Sequence, residues 1–196
     1  MVMLAALLTL HALFFAPLLV RAAVQRRARA TAGLSSAVHV AERRGALLAL
    51  TVHGAALLLL YLGIFIAVLG GHWLTPQTPT ALAGLTMVAA AAAMVTWTAR
   101  VFTSWRLRPE VDAGHRLCTS GPFSLVRHPI YAALDALAVG TALCVPTAPV
   151  LAAAVLLVLG GWLRARLEER VLLEAFGDSY RAYQRRVPRR FVPGLW

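Results

Sequence analysis

The chain contains no lysine: all 19 of its basic residues are arginine. Acids are scarce too, 8 against those 19, which leaves a formal charge of +11. The two cysteines, Cys118 and Cys144, match no metal-ligand spacing. There is no internal repeat and no low-complexity tail, and no polar segment is long enough to form a separate soluble domain. These absences exclude a zinc module, a disulfide scaffold and a repeat array. A dinucleotide-type glycine motif is absent as well, which weighs little against a nicotinamide cofactor, because membrane reductases need not carry one.

What is abundant is apolar surface. Hydrophobic residues make up 60% of the 196, and the mean hydropathy is +0.72. A soluble globular domain is excluded on that composition. The positive charge does not point to nucleic acid, since the arginines lie between apolar stretches, as they do in membrane proteins.

Four such stretches stand out: residues 2–20 with His11, residues 45–70 with His53, residues 79–99, and residues 130–163. A bilayer core takes roughly 20 apolar residues per helix, so the first three are one span each. The fourth is nearly twice as long and carries Pro146 and Pro149 at its middle, where proline removes backbone donors. It predicts a helical hairpin whose arms, about 16 residues each, suit a thinned or protein-lined region. The arginines fall between the first and second spans, between the third span and the hairpin, and after the hairpin. The other connections carry no charge. The positive-inside rule then places the N-terminus outside and the C-terminus in the cytosol. A cleaved signal peptide over residues 1–20 is the rival reading, and no basic residue precedes the run to support it. The expected fold is therefore all-α and integral to the membrane. It has five transmembrane helices, the last two a hairpin, and a cytosolic amphipathic C-terminal helix. One domain, 1–196, is expected, with a three-span part (1–99) and a second part (100–196). Cys118 and Cys144 fall at opposite faces, so no disulfide is expected. Alanine and arginine richness without lysine is the composition of a GC-rich bacterial genome, hence an inner membrane.

Two polar clusters flank the hairpin. In GPFSLVRHPIY, Gly121-Pro122 signals a turn. Pro129 starts a helix well, because its missing N–H costs nothing at the first position, and the free N–H groups of that end attract an anion. Arg127, His128 and Tyr131 gather there; singly they read as interfacial anchors, together as a site. Asp135 lies a turn deeper, and an acid inside a span marks a functional site or a neutral, hydrogen-bonded carboxyl. In the second cluster, 164–188, Arg164 and Glu168 share a helix face, Arg166 and Arg170 lie on another, and Gly177 is a helix end or kink. Phe176, Tyr180 and Tyr183 read as ordinary packing. One of Glu168 and Glu169 can pair with Arg164 while the other turns to a ligand.

The run HRLCTSGPFSLVRHPIY, followed by LEERVLLEAFGDSYRAYQRRVPR, resembles the isoprenylcysteine carboxyl methyltransferase family and its relatives among phospholipid methyltransferases. The resemblance covers roughly residues 100–190; the first three spans match only in character and number. It implies a membrane enzyme that uses S-adenosyl-L-methionine. By motif position, His115, Arg116, Leu117, Cys118, Phe123, His128, Pro129, Ile130 and Tyr131 would line the cofactor, Glu168 would bind it, and Arg164 would face the substrate's reacting group. Phe123 departs from the tyrosine frequent in eukaryotic members, which removes a ring hydroxyl and keeps the stacking.

Methyl transfer from a sulfonium is an in-line displacement that needs no metal; the protein supplies alignment and a dry pocket. A carboxylate acceptor is already nucleophilic, and Arg164 can hold it by paired hydrogen bonds. An amine acceptor, as in a phospholipid head group, needs deprotonation by Asp135, Glu169 or a histidine. The expected reaction is O-methylation of the carboxylate of a lipid-like or prenylated acceptor, with Arg164 and Glu168 at the centre and Asp135 near the substrate. N-methylation of a phospholipid amine is the second reading. A membrane NADPH-dependent reductase or a non-enzymatic membrane protein would be of another class.

Overall fold

A computed structural model describes residues 2–32, 37–40, 43–70, 78–102, 110–112 and 117–192. Five helices dominate: α1 (Val2–Ala32), α2 (Arg43–Gly70), α3 (Pro79–Val101), α4 (Pro129–Cys144) and α5 (Ala148–Arg186). Four of them, α1, α2, α3 and α5, are long and apolar enough to cross a membrane; α4, with 16 residues, is shorter. The chain is thus an integral membrane protein of helical architecture. Two short strands, β1 (Ala37–Val40) and β2 (Glu110–Asp112), pair antiparallel with an irregularity between Ala37 and His39. Nothing in the hydropathy pattern announces that ladder.

Local chemistry fixes the helix ends. Thr78 caps α3 by accepting from the Ala81 N–H, and Pro79 follows at the first position. Pro129 starts α4, as its sequence position predicts. Pro146 lies in the short break between α4 and α5, and Pro149 in the first turn of α5; the two helices run antiparallel, since Tyr131 of α4 reaches Glu168 of α5 and Asp135 lies beside Gly161. Up to its kink at Gly177, α5 is roughly 44 Å long by helical rise, well over the ~30 Å hydrocarbon core. Its uncharged part ends at Leu163, and the charged turns from Arg164 onward extend beyond the span. Gly177 has φ +49° and ψ −121°, a left-handed kink that a side chain would strain.

α4 packs between α3 and α5, while α1 lies against α3 and α2 against α5. Glycine permits the tightest crossing. A Cβ at Gly84 would sit 2.5 Å from the Gly140 carbonyl oxygen, and one at Gly140 2.7 Å from that of Gly84. Backbone contact of this kind is how membrane helices associate without a hydrophobic driving force. A buried polar string adds specificity. The Thr141 hydroxyl donates to Leu137 O, so its oxygen accepts from His11 Nε2 at 2.9 Å, and His11 Nδ1 accepts from the Tyr61 hydroxyl at 2.9 Å.

The β1–β2 ladder ties the α1–α2 connection to the segment after α3. Arg21 donates to the Ala99 carbonyl at the end of α3. Residues 187–190 return to residues 127–128, as described below. The arginine-bearing connections therefore meet at one end of the bundle, as the charge pattern requires. Cys118 and Cys144 are both free.

A charge cluster at the start of α4

His128 is the residue before α4 and adopts φ −124°, ψ 66°, outside the helical region that a following proline disfavours. That turn buries its ring between two consecutive acids of α5. Nε2 lies 3.2 Å from Glu169 Oε1, and Nδ1 lies 3.6 Å from Glu168 Oε2. One turn into α4, the Tyr131 hydroxyl donates to Glu168 Oε1. Its ring is stacked on His128 at 5.8 Å and covered by the Arg164 guanidinium at 5.3 Å. Arg164 also approaches Glu168 Oε1, at 4.0 Å.

The two acids differ. Glu169 is enclosed, its side chain 9% exposed, and its carboxylate accepts from Arg127 Nε at 2.9 Å and from Arg190 Nε at 3.1 Å and Nη2 at 2.7 Å. Glu168 is the more exposed of the two, its side chain 23% exposed. Burial opposes charge on both, but the His128 imidazolium holds Glu168 below the ordinary carboxylate value, helped by Arg164 and the Tyr131 hydroxyl. His128 together with Arg190 and Arg127 likewise holds Glu169 below the ordinary carboxylate value. Burial likewise disfavours the imidazolium, and the two carboxylates outweigh it, so His128 is raised above 6.5. Among the described residues, four cations (Arg127, His128, Arg164 and Arg190) face these two carboxylates, a balance that suits an anion.

A strap closes the cluster. The Arg127 and His128 N–H groups donate to Arg189 and Arg190 carbonyls at 2.9 and 3.0 Å, and Arg127 Nη1 donates to Val187 and Pro188 carbonyls. Phe191 comes to 6.0 Å from the His128 ring. Neither Arg190 nor this strap stands out in the sequence; the only signal is the basic RVPRR run after α5, which resembles any solvated tail. Glu168 and Glu169 are also interchangeable by sequence, whereas the geometry assigns Glu169 to the network with Arg127 and Arg190 and leaves Glu168 the more exposed.

Beside the cluster, Phe123, Tyr180, Tyr183 and Val187 form an aromatic wall, with Leu117, Cys118, Leu172 and Phe176 against it. The Tyr183 hydroxyl donates to Phe123 O at 2.7 Å. The Tyr180 hydroxyl is buried with no hydrogen-bond partner among the described residues. Of the expected site residues, Leu117, Cys118, Phe123, His128, Pro129, Ile130, Tyr131, Arg164 and Glu168 come together around this corner. Asp135 lies deeper, against Gly161. His115 and Arg116 lie outside the described residues. Among the described residues there is no group of His, Cys, Asp and Glu that could hold a metal ion.

The family model for phospholipid methyltransferase matches residues 79–179, just over half of the chain. The match spans α3, the turn, α4 and α5 to just past its kink. No curated protein matches the chain.

Proposed function

This chain belongs to the phospholipid methyltransferase family, and from that premise we propose that it transfers a methyl group from S-adenosyl-L-methionine to a lipid-like acceptor at the cytosolic boundary of the membrane. The observation that carries the reading is the Glu168 carboxylate. His128, Tyr131 and Arg164 hold it ionised while it keeps an exposed edge beside an aromatic wall.

The residues present fit the cofactor. Glu168 is placed to accept from its ammonium or ribose hydroxyls. The cationic balance of the cluster and the N-terminus of α4 suit its carboxylate. Phe123, Leu117, Cys118 and the orphaned Tyr180 hydroxyl suit a flat base with polar edges. When bound, the cofactor supplies an electrophilic methyl on a sulfonium. The chain aligns and desolvates; Glu169, saturated by three cations, holds the corner rigid.

A nitrogen in a lipid head group is the acceptor this reading favours, because the matched family is that of phospholipid methyltransferases and the polar group one turn below Tyr131 is an acid, Asp135, able to hold an ammonium. The carboxylate reading keeps one observation in its favour, the Arg164 guanidinium over the Tyr131 ring. Titration of the detergent-purified protein with S-adenosylhomocysteine tests the cofactor. We expect saturable binding that Glu168→Ala reduces at least tenfold. Folded Glu168→Ala protein with unchanged affinity would remove Glu168 from the site, and no binding by the wild type would overturn the reading.

A further inference from the structure

In the apolar stretches of the helices, two side-chain polar atoms are buried without a partner among the described residues: Nε2 of His53 on α2 and Oδ1 of Asp135 on α4. They come from different helices but abut consecutive residues of α5. A Cβ built at Gly160 would lie 2.8 Å from His53 Nδ1, and one at Gly161 would lie 3.3 Å from Asp135 Oδ1. The glycine pair keeps α5 bare where both polar side chains approach it.

The tautomer of His53 follows from its neighbour. Nδ1 lies 3.2 Å from the Ala49 carbonyl oxygen, which can only accept, so Nδ1 carries the hydrogen and Nε2 holds a lone pair. The ring is 5% exposed. A bare imidazole nitrogen without a donor is therefore fixed inside the fold, where an unmade hydrogen bond is destabilising. An unsatisfied group of this kind in a span is a reason to look for a ligand. The position fits one, because the Tyr131 ring lies 6.0 Å from His53, while its hydroxyl is on Glu168. Through Tyr131, His53 adjoins the charge cluster.

We propose that His53 and Asp135 form the seat of the acceptor's amine, with His53 Nε2 as the base. This rests on the methyltransferase reading above and extends it to the acceptor. Asp135 holds the ammonium of the head group, and His53 Nε2 takes one of its protons. The freed lone pair then forms the carbon–nitrogen bond as the methyl–sulfur bond breaks, the electron pair staying on sulfur. The proton passes to water when the methylated ammonium leaves. Glu169 is unsuited to this role because its carboxylate is saturated by Arg127, Arg190 and His128. Among the described residues, Tyr131 from α4 and Arg164 and Glu168 from α5 act on His53, and Asp135 of α4 lies against the next residue of α5, Gly161.

The test uses the full chain in vesicles of phosphatidylethanolamine and phosphatidylcholine, with labelled S-adenosylmethionine, beside S-adenosylhomocysteine calorimetry. His53→Gln should lower kcat on phosphatidylethanolamine about 100-fold, the scale of general base catalysis, and leave S-adenosylhomocysteine affinity within twofold. Its residual rate should climb with pH where the wild type levels off. Asp135→Asn should raise KM for phosphatidylethanolamine more than it lowers kcat, and it carries the test should His53→Gln not fold. Wild-type turnover in His53→Gln, or an unchanged KM in Asp135→Asn, would overturn the seat. So would a wild type that binds S-adenosylhomocysteine yet leaves phosphatidylethanolamine unmethylated. A wild type that binds no S-adenosylhomocysteine brings down the cofactor reading, and the seat with it.

Discussion

Two histidines sit inside the helical bundle at almost equal burial, His11 at 3% and His53 at 5% exposure. His11 has a partner on each ring nitrogen, Tyr61 on one side and Thr141 on the other, and so joins α1 to α2 and α4. His53 has the Ala49 carbonyl of its own helix, and its second nitrogen meets no partner among the described residues. Burial alone does not separate a histidine that holds helices together from one kept for chemistry; the count of satisfied atoms does. The same division runs through the acids: Glu169 is saturated, and Asp135 has an orphaned oxygen. Saturated groups should therefore govern stability, and orphaned groups should govern turnover.

The largest effect expected on that division is at Glu169. Glu169→Ala would leave Arg127 and Arg190 facing each other without their carboxylate and release the strap at 187–190. Breaking one side of a buried ion network costs about 3–5 kcal/mol. Thermal unfolding in detergent should show a large drop in midpoint, together with proteolysis near the C-terminal end. A near-normal midpoint would remove the network from the stability of the fold.

His11→Phe comes next. The ring shape is kept, the Tyr61 hydroxyl loses its partner, and the loss should be about 1–2 kcal/mol. Adding Tyr61→Phe should recover most of it, because removing both partners is nearly neutral. Phosphatidylethanolamine turnover per folded molecule should be unchanged in both variants, in contrast to His53→Gln.

The acid–base state of the cluster gives a smaller and reversible effect. Glu169 is held below its ordinary 4.5, so its contribution is complete above that value and drains as pH falls toward its folded value. His128 is raised above 6.5, so its contribution is complete below 6.5 and is lost as pH rises through its folded value. The cluster should stabilise the protein most between those ordinary values. A pH series of thermal midpoints checks this: the alkaline fall should be flatter in His128→Gln, and an equal fall in both proteins would assign it elsewhere.

Much of this is legible in the chain. Pro129, Pro146 and Pro149 mark the ends of α4 and the start of α5, Gly177 marks the kink, and the arginine pattern gathers the connections at one end. Arg164 and Glu168 share a face at the spacing that helical geometry requires. What is not legible depends on contacts between distant segments. Nothing in the consecutive pair of glutamates distinguishes the inner acid from the outer one until Arg190 folds back over Glu169. Nothing in residues 45–70 marks His53 as orphaned until Tyr131 of α4 and Gly160 of α5 pack beside it. Hydropathy reads burial along one helix, whereas hydrogen-bond satisfaction is a property of several helices at once.

The smallest expected effect on stability is at Asp135. Its Oδ1 has no hydrogen-bond partner among the described residues, so replacing the carboxyl breaks no bond to that atom, and Asn keeps its shape against Gly161. Asp135→Asn should therefore move the thermal midpoint by the equivalent of no more than about 1 kcal/mol, within the usual range for substitutions that break no network. Such a result beside a raised KM for phosphatidylethanolamine would place Asp135 with His53 on the side of turnover. A loss as large as that of His11→Phe would instead mean that the carboxyl is bound within the fold, and the division between saturated and orphaned groups would fail at the residue where it is sharpest.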